Sequence, residues 1–139
     1  MEEVDKTLRV VIVEDNPADV FFFREALAQS VSDASLEVFV DGLSAWDRLE
    51  KAANDARLKP DIVVLDLNVP GMTGRDILGQ MRVRPDLKDV PIAVLTGSLT
   101  DDDIPFEFPE LRLLFRHKTF IMSELEELVK EMLEFAGYG

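Results

Sequence analysis

Residues Pro60 to Gly74 read PDIVVLDLNVPGMTG, and this stretch decides the fold. Its apolar run, Ile62 to Leu65, is typical of a central strand that is covered on both faces, as in a parallel sheet. Asp66 follows at the carboxyl end of that strand, where open α/β sheets place their ligands. A proline and two glycines then break regular structure before the next helix. The stretch alone leaves open whether Asp66 is a functional carboxylate or only a cap or turn residue.

The rest of the chain repeats the pattern of a strand followed by a helix. We predict strands at residues 8–13, 36–40, 62–65, 90–95 and 111–116, and helices at residues 17–29, 44–57, 73–84 and 121–136. Alternating strands and helices with short connections indicate an α/β fold, a doubly wound five-stranded parallel sheet with helices on both faces. We expect one domain over residues 1–139, with its core at about residues 7–136.

Residues 99–110 are expected to be irregular, although the pattern places a fourth helix there. They contain Pro105 and Pro109, and a proline inside a helix costs about 3 kcal/mol. Asp101 to Asp103 could start a helical turn, which Pro105 should end, and PFEFPEL then reads as extended chain or loop. We therefore expect a fourth helix that is short or missing.

The composition excludes several classes of protein. Fifteen Lys and Arg against 28 Asp and Glu give a net charge of −13. A field of that sign repels phosphate backbones and anionic lipid, so we expect no binding to nucleic acid or to membranes. Cysteine is absent, and no apolar run approaches the ~20 residues that span a bilayer. The acidic start, MEEVDK, does not resemble a signal peptide, and these features together fit a cytoplasmic protein.

Polar side chains stand at the ends of four predicted strands: Glu14 with Asp15, then Asp66, Thr96 and Lys118. Because all strands of a parallel sheet point the same way, we expect these side chains on one rim. Converging carboxylates repel one another, and Mg²⁺ relieves this repulsion because it binds a few carboxylates together with water and phosphate oxygens. A lysine and a hydroxyl at the same rim could hold a phosphoryl group. The pattern suggests attack by the Asp66 carboxylate on phosphorus, which gives an acyl phosphate.

Four segments together resemble the receiver domains of two-component response regulators: EDNPAD (14–19), VVLDLNVPGMTG (63–74), VLTGS (94–98), and Lys118 with Phe120. The resemblance covers nearly the whole chain and implies a flavodoxin-like receiver fold. It implies that Asp66 accepts a phosphoryl group from a histidine kinase. It also implies a Mg²⁺ site in which Asp15 binds directly, Glu14 mainly through water, and Asn68 through its backbone carbonyl, with Asp66 as a further ligand.

The resemblance assigns roles to the phosphoryl-binding side as well. Thr96 would hydrogen-bond a phosphoryl oxygen, Lys118 would pair with the phosphoryl group, and Gly97 would leave room beside it. Phe115 occupies the aromatic switch position, where the ring moves inward when Thr96 is drawn to the phosphate. Thr119 departs from the family, which has a proline there after a cis bond, and a non-proline cis bond costs ~3–4 kcal/mol. Either neighbours hold that strain, or Lys118 approaches differently, or the substitution is simply tolerated.

EDNPAD, DLNVP and GRD are also similar to a subgroup of stand-alone receivers that work with phytochrome-type kinases. This narrower resemblance implies a sensor histidine kinase of that type as the partner. Because the chain ends soon after the last predicted helix, we expect no output domain.

Two apolar surfaces could serve partners. Three consecutive phenylalanines, 21–23, cannot all face one core, so Phe21 or Phe22 should lie near the surface, either for kinase docking or packed against the last helix. The last helix carries a wide apolar stripe, from which we expect a homodimer; the alternative is that the monomer buries the stripe on two sides. The stripe comprises Leu125, Leu128, Val129, Met132, Leu133, Phe135 and Ala136.

The sequence therefore leads to a Mg²⁺-dependent response regulator that is not an enzyme beyond its own phosphorylation and dephosphorylation. The alternative is a receiver-like interaction module that works without phosphorylation. Two enzyme or cofactor classes fit less well. A haloacid-type phosphatase needs an acid where Asn68 stands, and a flavodoxin would place its flavin phosphate against Glu14 and Asp15, which would repel it.

Overall fold

A computed structural model of the chain describes residues 7–138, apart from the side chain of Leu99. The acidic start, residues 1–6, therefore lies outside the described residues. The five strands are β1 (Leu8–Val13), β2 (Ala34–Phe39), β3 (Ile62–Asp66), β4 (Ile92–Thr96) and β5 (Leu113–His117). The helices of the described part are α1 (Pro17–Ser30), α2 (Gly42–Asn54), α3 (Gly74–Met81), α4 (Ile104–Glu107) and α5 (Met122–Phe135). Short 3₁₀ turns lie at Ala56–Leu58, Pro85–Leu87 and Leu99–Asp101.

The sheet is parallel throughout, with the strand order β2-β1-β3-β4-β5. This confirms the predicted α/β class and the doubly wound sheet. Strand order changes direction between β1 and β3, and open sheets of this kind bind ligands in the crevice at that point, beyond the carboxyl ends of the strands. The fold therefore directs attention to the residues that follow Val13 and to Asp66.

Both faces of the sheet are buried at its central strands β1, β3 and β4, as the unbroken apolar runs predict, whereas the edge strands β2 and β5 are partly exposed. On one face, side chains from β1, β3 and β4 form a core with α2, α3 and α4. On the other face, the alternate side chains of the strands pack against α1 and α5. Every residue of β3 is buried, so the strand that carries Asp66 lies wholly within the core.

Local sequence signals explain where the helices begin. The Asn16 side chain caps α1, and Pro17 takes the first helical position, where its missing N–H costs nothing. Asp41 caps α2 by accepting from the Ser44 N–H. Thr73 and Asp76 form a reciprocal capping box at the start of α3, the start that was predicted for that helix. The ends were predicted less well, since α2 ends three residues and α3 three residues before the predicted positions.

The fourth helix is a single turn, Ile104–Glu107, so the expectation of a short helix is confirmed. The role given to Pro105 was wrong, because it lies in the first turn and does not end the helix. A proline is tolerated there since the first N–H groups of a helix have no partner within it. Burial of Ile104 and Phe108 in the core anchors both ends of this segment.

Apolar surface is distributed unevenly between α1 and α5. Phe23 is buried, whereas Phe21 and Phe22 are 55% and 48% exposed. The stripe of α5 is instead covered by α1 and the sheet, because its residues Leu125 to Leu133 lie within the monomer's core. The monomer alternative thus accounts for that stripe, and the homodimer stays a prediction. Among residues 7–138, no helix combines the length and apolar character that crossing a bilayer requires.

Candidate functional site

Three acids meet where β1 and β3 end. One carboxylate oxygen from each of Glu14, Asp15 and Asp66 lies within 4.8 Å of the others. Glu14 and Asp66 are buried, and Asp15 is exposed. Buried carboxylates at this separation repel one another unless positive charge lies beside them. The site therefore requires a cation for its own stability.

Lys118 supplies that charge from the end of β5. Its ammonium nitrogen lies 2.8 Å from Glu14 Oε1, 3.0 Å from Asp19 Oδ2 and 3.1 Å from Asp66 Oδ2. An ammonium group has three N–H donors, so each carboxylate can accept one of them. Only 17% of the Lys118 side chain is exposed, which means that its charge is compensated by these acids and little by water.

Burial and charge shift two pKa values in this cluster. Burial raises the pKa of Glu14, and although the hydrogen bond from Lys118 opposes this, the charge of Asp66 adds to it and the pKa stays raised. Burial alone would lower the pKa of Lys118, but hydrogen bonds to Glu14 and Asp19 and the charges of Asp66 and Glu14 raise it above its ordinary value. Lys118 is therefore a fixed cation at neutral pH.

Backbone N–H groups orient the two buried acids. Glu14 Oε2 accepts from the Asn16 N–H at 3.1 Å, and Asp66 Oδ1 accepts from the Asn68 N–H at 3.0 Å. Each acid is thus held by the residue two positions later in the chain, a bond typical of side chains that begin a turn. The predicted ligand Asn68 is exposed and follows directly in this turn.

Gly74 allows the loop after β3 to close tightly under Asp66. A Cβ atom at position 74 would lie 2.7 Å from Leu67 Cα and 2.8 Å from the carbonyl oxygen of Asp66, too close for any side chain. The Gly74 N–H donates to the Leu67 carbonyl at 3.1 Å and fixes the closure. Glycine at this position therefore sets the direction of the chain that carries Asn68.

Thr96 and Phe115 lie near the rim, with partners that the sequence did not indicate. The Thr96 hydroxyl, fully buried, donates to Asp101 Oδ2 at 2.8 Å and accepts from the Ser98 N–H. The Phe115 ring is partly buried and packs edge-on against the His117 ring at 5.6 Å between centroids. The Thr96 hydroxyl is therefore hydrogen-bonded to Asp101 in this structure, whereas the resemblance assigns that hydroxyl to a phosphoryl oxygen.

The bond between Lys118 and Thr119 is trans, as are all peptide bonds among residues 7–138. Lys118 nevertheless reaches Asp66, so the substitution of the family's proline does not turn the lysine away. The Thr119 hydroxyl donates to Glu124 Oε1 at 2.7 Å and accepts from the Ile121 N–H. Thr119 thus helps to begin α5, whose N-cap residue makes no side-chain cap of its own.

The structure adds two residues that sequence reasoning missed as members of the site, Asp19 and Asp101. No role in the site was predicted for Asp19, and Asp101 was interpreted only as part of the possible start of a helical turn. EDNPAD did include Asp19, but the sequence contains no signal that it meets Lys118, 99 positions later. Such contacts depend on how helix and loop are rotated against the sheet.

A cleft of about 330 Å³ opens from the acids along the surface between α1 and α5. Its polar end contains Asp66 and Lys118. Its apolar side is formed by Phe22, Ile121 and Leu125 among others. Ile121 and the neighbouring Phe120 are both exposed, so apolar side chains stand at the mouth of the cleft. The acids are therefore accessible from a surface with apolar walls.

The residues present suit a divalent cation. Three carboxylates offer oxygen atoms within 4.8 Å of one another, and the donors are the hard oxygen ligands that Mg²⁺ and Mn²⁺ accept. Two of the three acids are buried and share a single ammonium group, so a second cation has unsatisfied negative charge to bind. Glu14, Asp15 and Asp66 would hold it.

Comparison with known proteins places this arrangement in a family. Residues 10–130 match the family described as "Response regulator receiver domain". The chain belongs to this family. Its described fold agrees, since the phosphorylated cyanobacterial phytochrome response regulator RcpA superposes with a TM-score of 0.78 at 34% identity, over 94% of each chain. The Mn²⁺-bound form of response regulator Rcp1 gives a TM-score of 0.75 at 30% identity, over 92% of this receiver and 93% of that chain.

Curated relatives of this receiver include a response regulator and a probable regulatory protein. Response regulator Rcp1 of Synechocystis sp. is 36% identical over 96 residues, 68% of this chain and 65% of Rcp1. The match thus spans slightly less than two thirds of that relative. The probable methanogenesis regulatory protein FilR2 of Methanothrix harundinacea is 28% identical over 133 residues, 96% of this chain and 86% of FilR2.

Proposed function

We propose that this receiver is a response regulator that accepts a phosphoryl group on Asp66 from a histidine kinase, in a Mg²⁺-dependent reaction, and signals through protein–protein contacts. The observation that carries the proposal is the position of Lys118, 3.1 Å from Asp66 Oδ2 within the acidic cluster. A purely structural ion pair would not need three acids around one ammonium group, because each buried charge costs solvation energy.

The reaction requires a nucleophile, a cation and a held leaving group. A carboxylate oxygen of Asp66 forms the new bond to phosphorus as the bond between phosphorus and the kinase histidine nitrogen breaks, and the released imidazole takes up a proton. Lys118 stays protonated, and its ammonium group can shift its hydrogen bond from the Asp66 carboxylate to a negatively charged phosphoryl oxygen. The Asn68 N–H holds the other oxygen of Asp66 in place. When bound, Mg²⁺ would neutralise charge on the phosphoryl oxygens.

The metal ligands in this proposal are Glu14, Asp15, Asp66 and the backbone carbonyl of Asn68. That Rcp1, at 30% identity, has a Mn²⁺-bound form supports the binding of a divalent cation by this receiver. Thr96 would leave Asp101 to bind the phosphoryl group, and Phe115 would follow it inward as the switch residue. The receiver catalyses only its own phosphorylation and dephosphorylation, and the cytoplasm, where kinases meet ATP, is the compartment that this function implies.

A phytochrome-type sensor histidine kinase is the proposed partner. The likeness to RcpA, 34% identical over 94% of each chain, supports this type of kinase. Phe21 and Phe22 form an edge-to-face pair, 5.4 Å between centroids, and lie exposed on α1. Their exposure favours docking over the alternative of packing against α5. The cleft beside Phe22 leads to Asp66, so a kinase helix seated there could bring its histidine to the acceptor.

Intact-mass measurement tests the proposal. The folded protein is incubated with acetyl phosphate and Mg²⁺, with an Asp66→Asn variant as the matched control. We expect the mass of one phosphoryl group to be added to the wild type, and none to the variant or in the presence of EDTA. If folded wild-type protein gains no mass, or if the Asp66→Asn variant gains as much, phosphorylation of Asp66 is not the function.

The second candidate is an interaction module that works without phosphorylation. The bond from Thr96 to Asp101 favours it, because that bond removes the hydroxyl from the phosphoryl side. The one-turn α4 also favours the interaction module, since it leaves little helical surface through which a phosphorylated receiver could bind a downstream partner. Binding of a partner by wild type, phosphorylated wild type and Asp66→Asn distinguishes the two: equal affinity in all three supports the module, and a phosphorylation-dependent difference supports the response regulator.

A further inference from the structure

Asp19 is a third acid on Lys118 and stands outside the cluster that could hold a metal. Its Oδ2 lies 3.0 Å from the lysine nitrogen, and the cluster found among residues 7–138 consists of Glu14, Asp15 and Asp66. Asp19 lies in the first turn of α1, one turn from the cap residue Asn16. It therefore reaches Lys118 from a helix, while the other two acceptors belong to the rim of the sheet.

The contact is more than an acid at a helix start. An acid in the first turn stabilises the helix dipole wherever its side chain points, and typically does so from solvent. Asp19 is instead 24% exposed and aims one oxygen at the ammonium group. The N-terminal N–H groups of α1 are already served by Asn16 Oδ1, which accepts from Ala18 and Asp19. The dipole alone does not account for this orientation.

The other two acceptors of Lys118, Glu14 and Asp66, also take part in the proposed reaction. Glu14 and Asp66 face the cation site, and phosphorylation converts Asp66 from a carboxylate into an acyl phosphate. Asp19 undergoes neither change. It can therefore accept one N–H of Lys118 before, during and after the transfer, while the remaining N–H groups move from the carboxylates to phosphoryl oxygen.

We propose that Asp19 is a positioning residue for Lys118, which keeps the ammonium group beside the phosphoryl position whether or not Glu14 and Asp66 are engaged elsewhere. This inference rests on the proposed function. In the transfer step the bond from Asp66 to phosphorus forms and the bond to the leaving group breaks, while Lys118 keeps its protons and Asp19 keeps its charge. Asp19 touches neither substrate nor reacting atoms and acts only through the lysine.

A double-mutant cycle on phosphorylation rate tests the proposal. Rates of Asp66 phosphorylation by acetyl phosphate with Mg²⁺ are compared for wild type, Asp19→Asn, Lys118→Met and the double variant. Glu25→Gln removes the same charge from an exposed position on the same helix and is the matched control. We expect Asp19→Asn to slow phosphorylation about three- to tenfold, because asparagine keeps an acceptor oxygen but loses the charge, and to add nothing once Lys118 is gone. Asp19→Glu, which keeps the charge, should recover part of the rate.

Three results would overturn the proposal: a wild-type rate for Asp19→Asn, an equal slowing by Glu25→Gln, or a full Asp19→Asn effect in the Lys118→Met background. The NMR signal of the Lys118 ammonium protons gives a second measurement that does not need turnover. We expect a slowly exchanging signal in wild type and Glu25→Gln that is lost or broadened in Asp19→Asn; an unchanged signal contradicts the contact. If wild type itself is not phosphorylated, the proposed function fails, whereas a phosphorylated wild type with an Asp19→Asn variant that reacts at the same rate rejects only this inference.

Discussion

Lys118 shows how one residue can hold a reactive site together. Glu14, Asp19 and Asp66 each accept one of its N–H groups, and the lysine is mostly buried. The net worth of such a cluster is small, because desolvation of each charge offsets the attraction. Removal of one partner is different, since it leaves the remaining buried charges uncompensated. Stability and reactivity therefore meet in the same side chain.

The Lys118→Met variant should reveal this dependence. In metal-free buffer we expect its free energy of unfolding to fall by ~2–4 kcal/mol, because Glu14 and Asp66 lose their common cation. Mg²⁺ should restore more stability to the variant than to the wild type, since it supplies the missing charge. Urea unfolding with EDTA and with Mg²⁺ measures both, and Lys88→Met, at an exposed lysine, is the control. Equal stability of wild type and Lys118→Met in EDTA would contradict this account of the cluster.

Asp41 provides a residue-scale test away from the site. It caps α2, and hydrogen bonds from the Ser44 N–H and hydroxyl hold the pKa of Asp41 below its ordinary value. A lowered folded pKa contributes stability above the unfolded pKa of ~3.9, and this is lost as pH falls through the folded pKa. Asp41→Ala should lower Tm at pH 7 by ~2–4 °C.

The Asp41→Asn variant separates charge from capping. Asparagine keeps the cap but does not titrate, so wild type should exceed it in stability at pH 7 and approach it as pH falls through the lowered pKa of Asp41. Thermal unfolding at several pH values measures the difference. A gap between wild type and Asp41→Asn that stays constant through acid pH would show that the charge of Asp41 is not involved.

The sequence predicted the rim residues because their positions follow from strand ends alone. Once β1, β3, β4 and β5 are recognised as parallel, Glu14, Asp66, Thr96 and Lys118 must lie at one edge. Asp19 could not be predicted in its role, since its contact depends on the rotation of α1 about its axis. Asp101 could not be predicted as a partner of Thr96, because the path of a short loop decides where its side chain points.

At the scale of elements, Arg75 on α3 contacts the segment at residues 99–108, which stands in place of a full fourth helix. It donates to Glu107 on α4, and its Nη2 lies 3.5 Å from Asp101 and 3.7 Å from Asp103. Asp101 in turn accepts a hydrogen bond from the Thr96 hydroxyl. The loop between β4 and α4 is thus connected both to the rim of the sheet and to a neighbouring helix. These contacts explain how so short a helix forms although it contains Pro105 and is followed by Pro109.

Arg75→Gln should raise the local mobility of residues 99–108 and leave the rest of the fold unchanged. Exposed ion pairs are each worth about 0.2–1 kcal/mol, so loss of the arginine should speed amide exchange in residues 99–108 by roughly two- to tenfold. Hydrogen exchange followed by mass spectrometry measures it by peptide. Arg57→Gln, at an exposed arginine paired with Asp55, is the control and should leave residues 99–108 unchanged. Unaltered exchange in Arg75→Gln would mean that core burial of Ile104 and Phe108 alone orders the segment.

Elements differed in how well the sequence predicted them. β1 was predicted to the residue because five of its six residues are buried and such a run has sharp ends. Helix ends were less certain, since a separate 3₁₀ turn follows shortly after both α2 and α3, and the sequence does not show where the α-helix stops. Pro105 was misread because the same residue can end a helix or begin one, and only its place in the turn distinguishes the two.

At the scale of the whole molecule, the two faces of the sheet carry different surfaces. The face with α1 and α5 contains the cleft that leads to Asp66 and the exposed Phe22. The face with α2, α3 and α4 supports the loops around Thr96. Since the acidic rim lies between the faces, a partner that docks on α1 can reach Asp66 without contacting α4. Phosphotransfer and output can thus use separate surfaces.

Phe22→Ser should separate docking from chemistry. We expect phosphotransfer from a phosphorylated phytochrome-type kinase to slow by about tenfold or more, because an anchor aromatic at an interface is typically worth over 1 kcal/mol. Phosphorylation by acetyl phosphate should keep its wild-type rate, since that small donor needs no docking surface. Val83→Ser, at an exposed apolar residue after α3, is the control and should alter neither rate. Equal slowing with both donors would place Phe22 in the chemistry and not in docking.

The most direct measurement of the central claim is the position of the phosphoryl group after reaction. The protein is phosphorylated with Mg²⁺, its acyl phosphate is reduced with borohydride, which converts an esterified aspartate to homoserine, and the peptides are sequenced by mass spectrometry. We predict homoserine at position 66 alone, and none when EDTA replaces Mg²⁺. Homoserine at another aspartate, a phosphoryl group on His117, or labelling that does not depend on the metal would contradict the account.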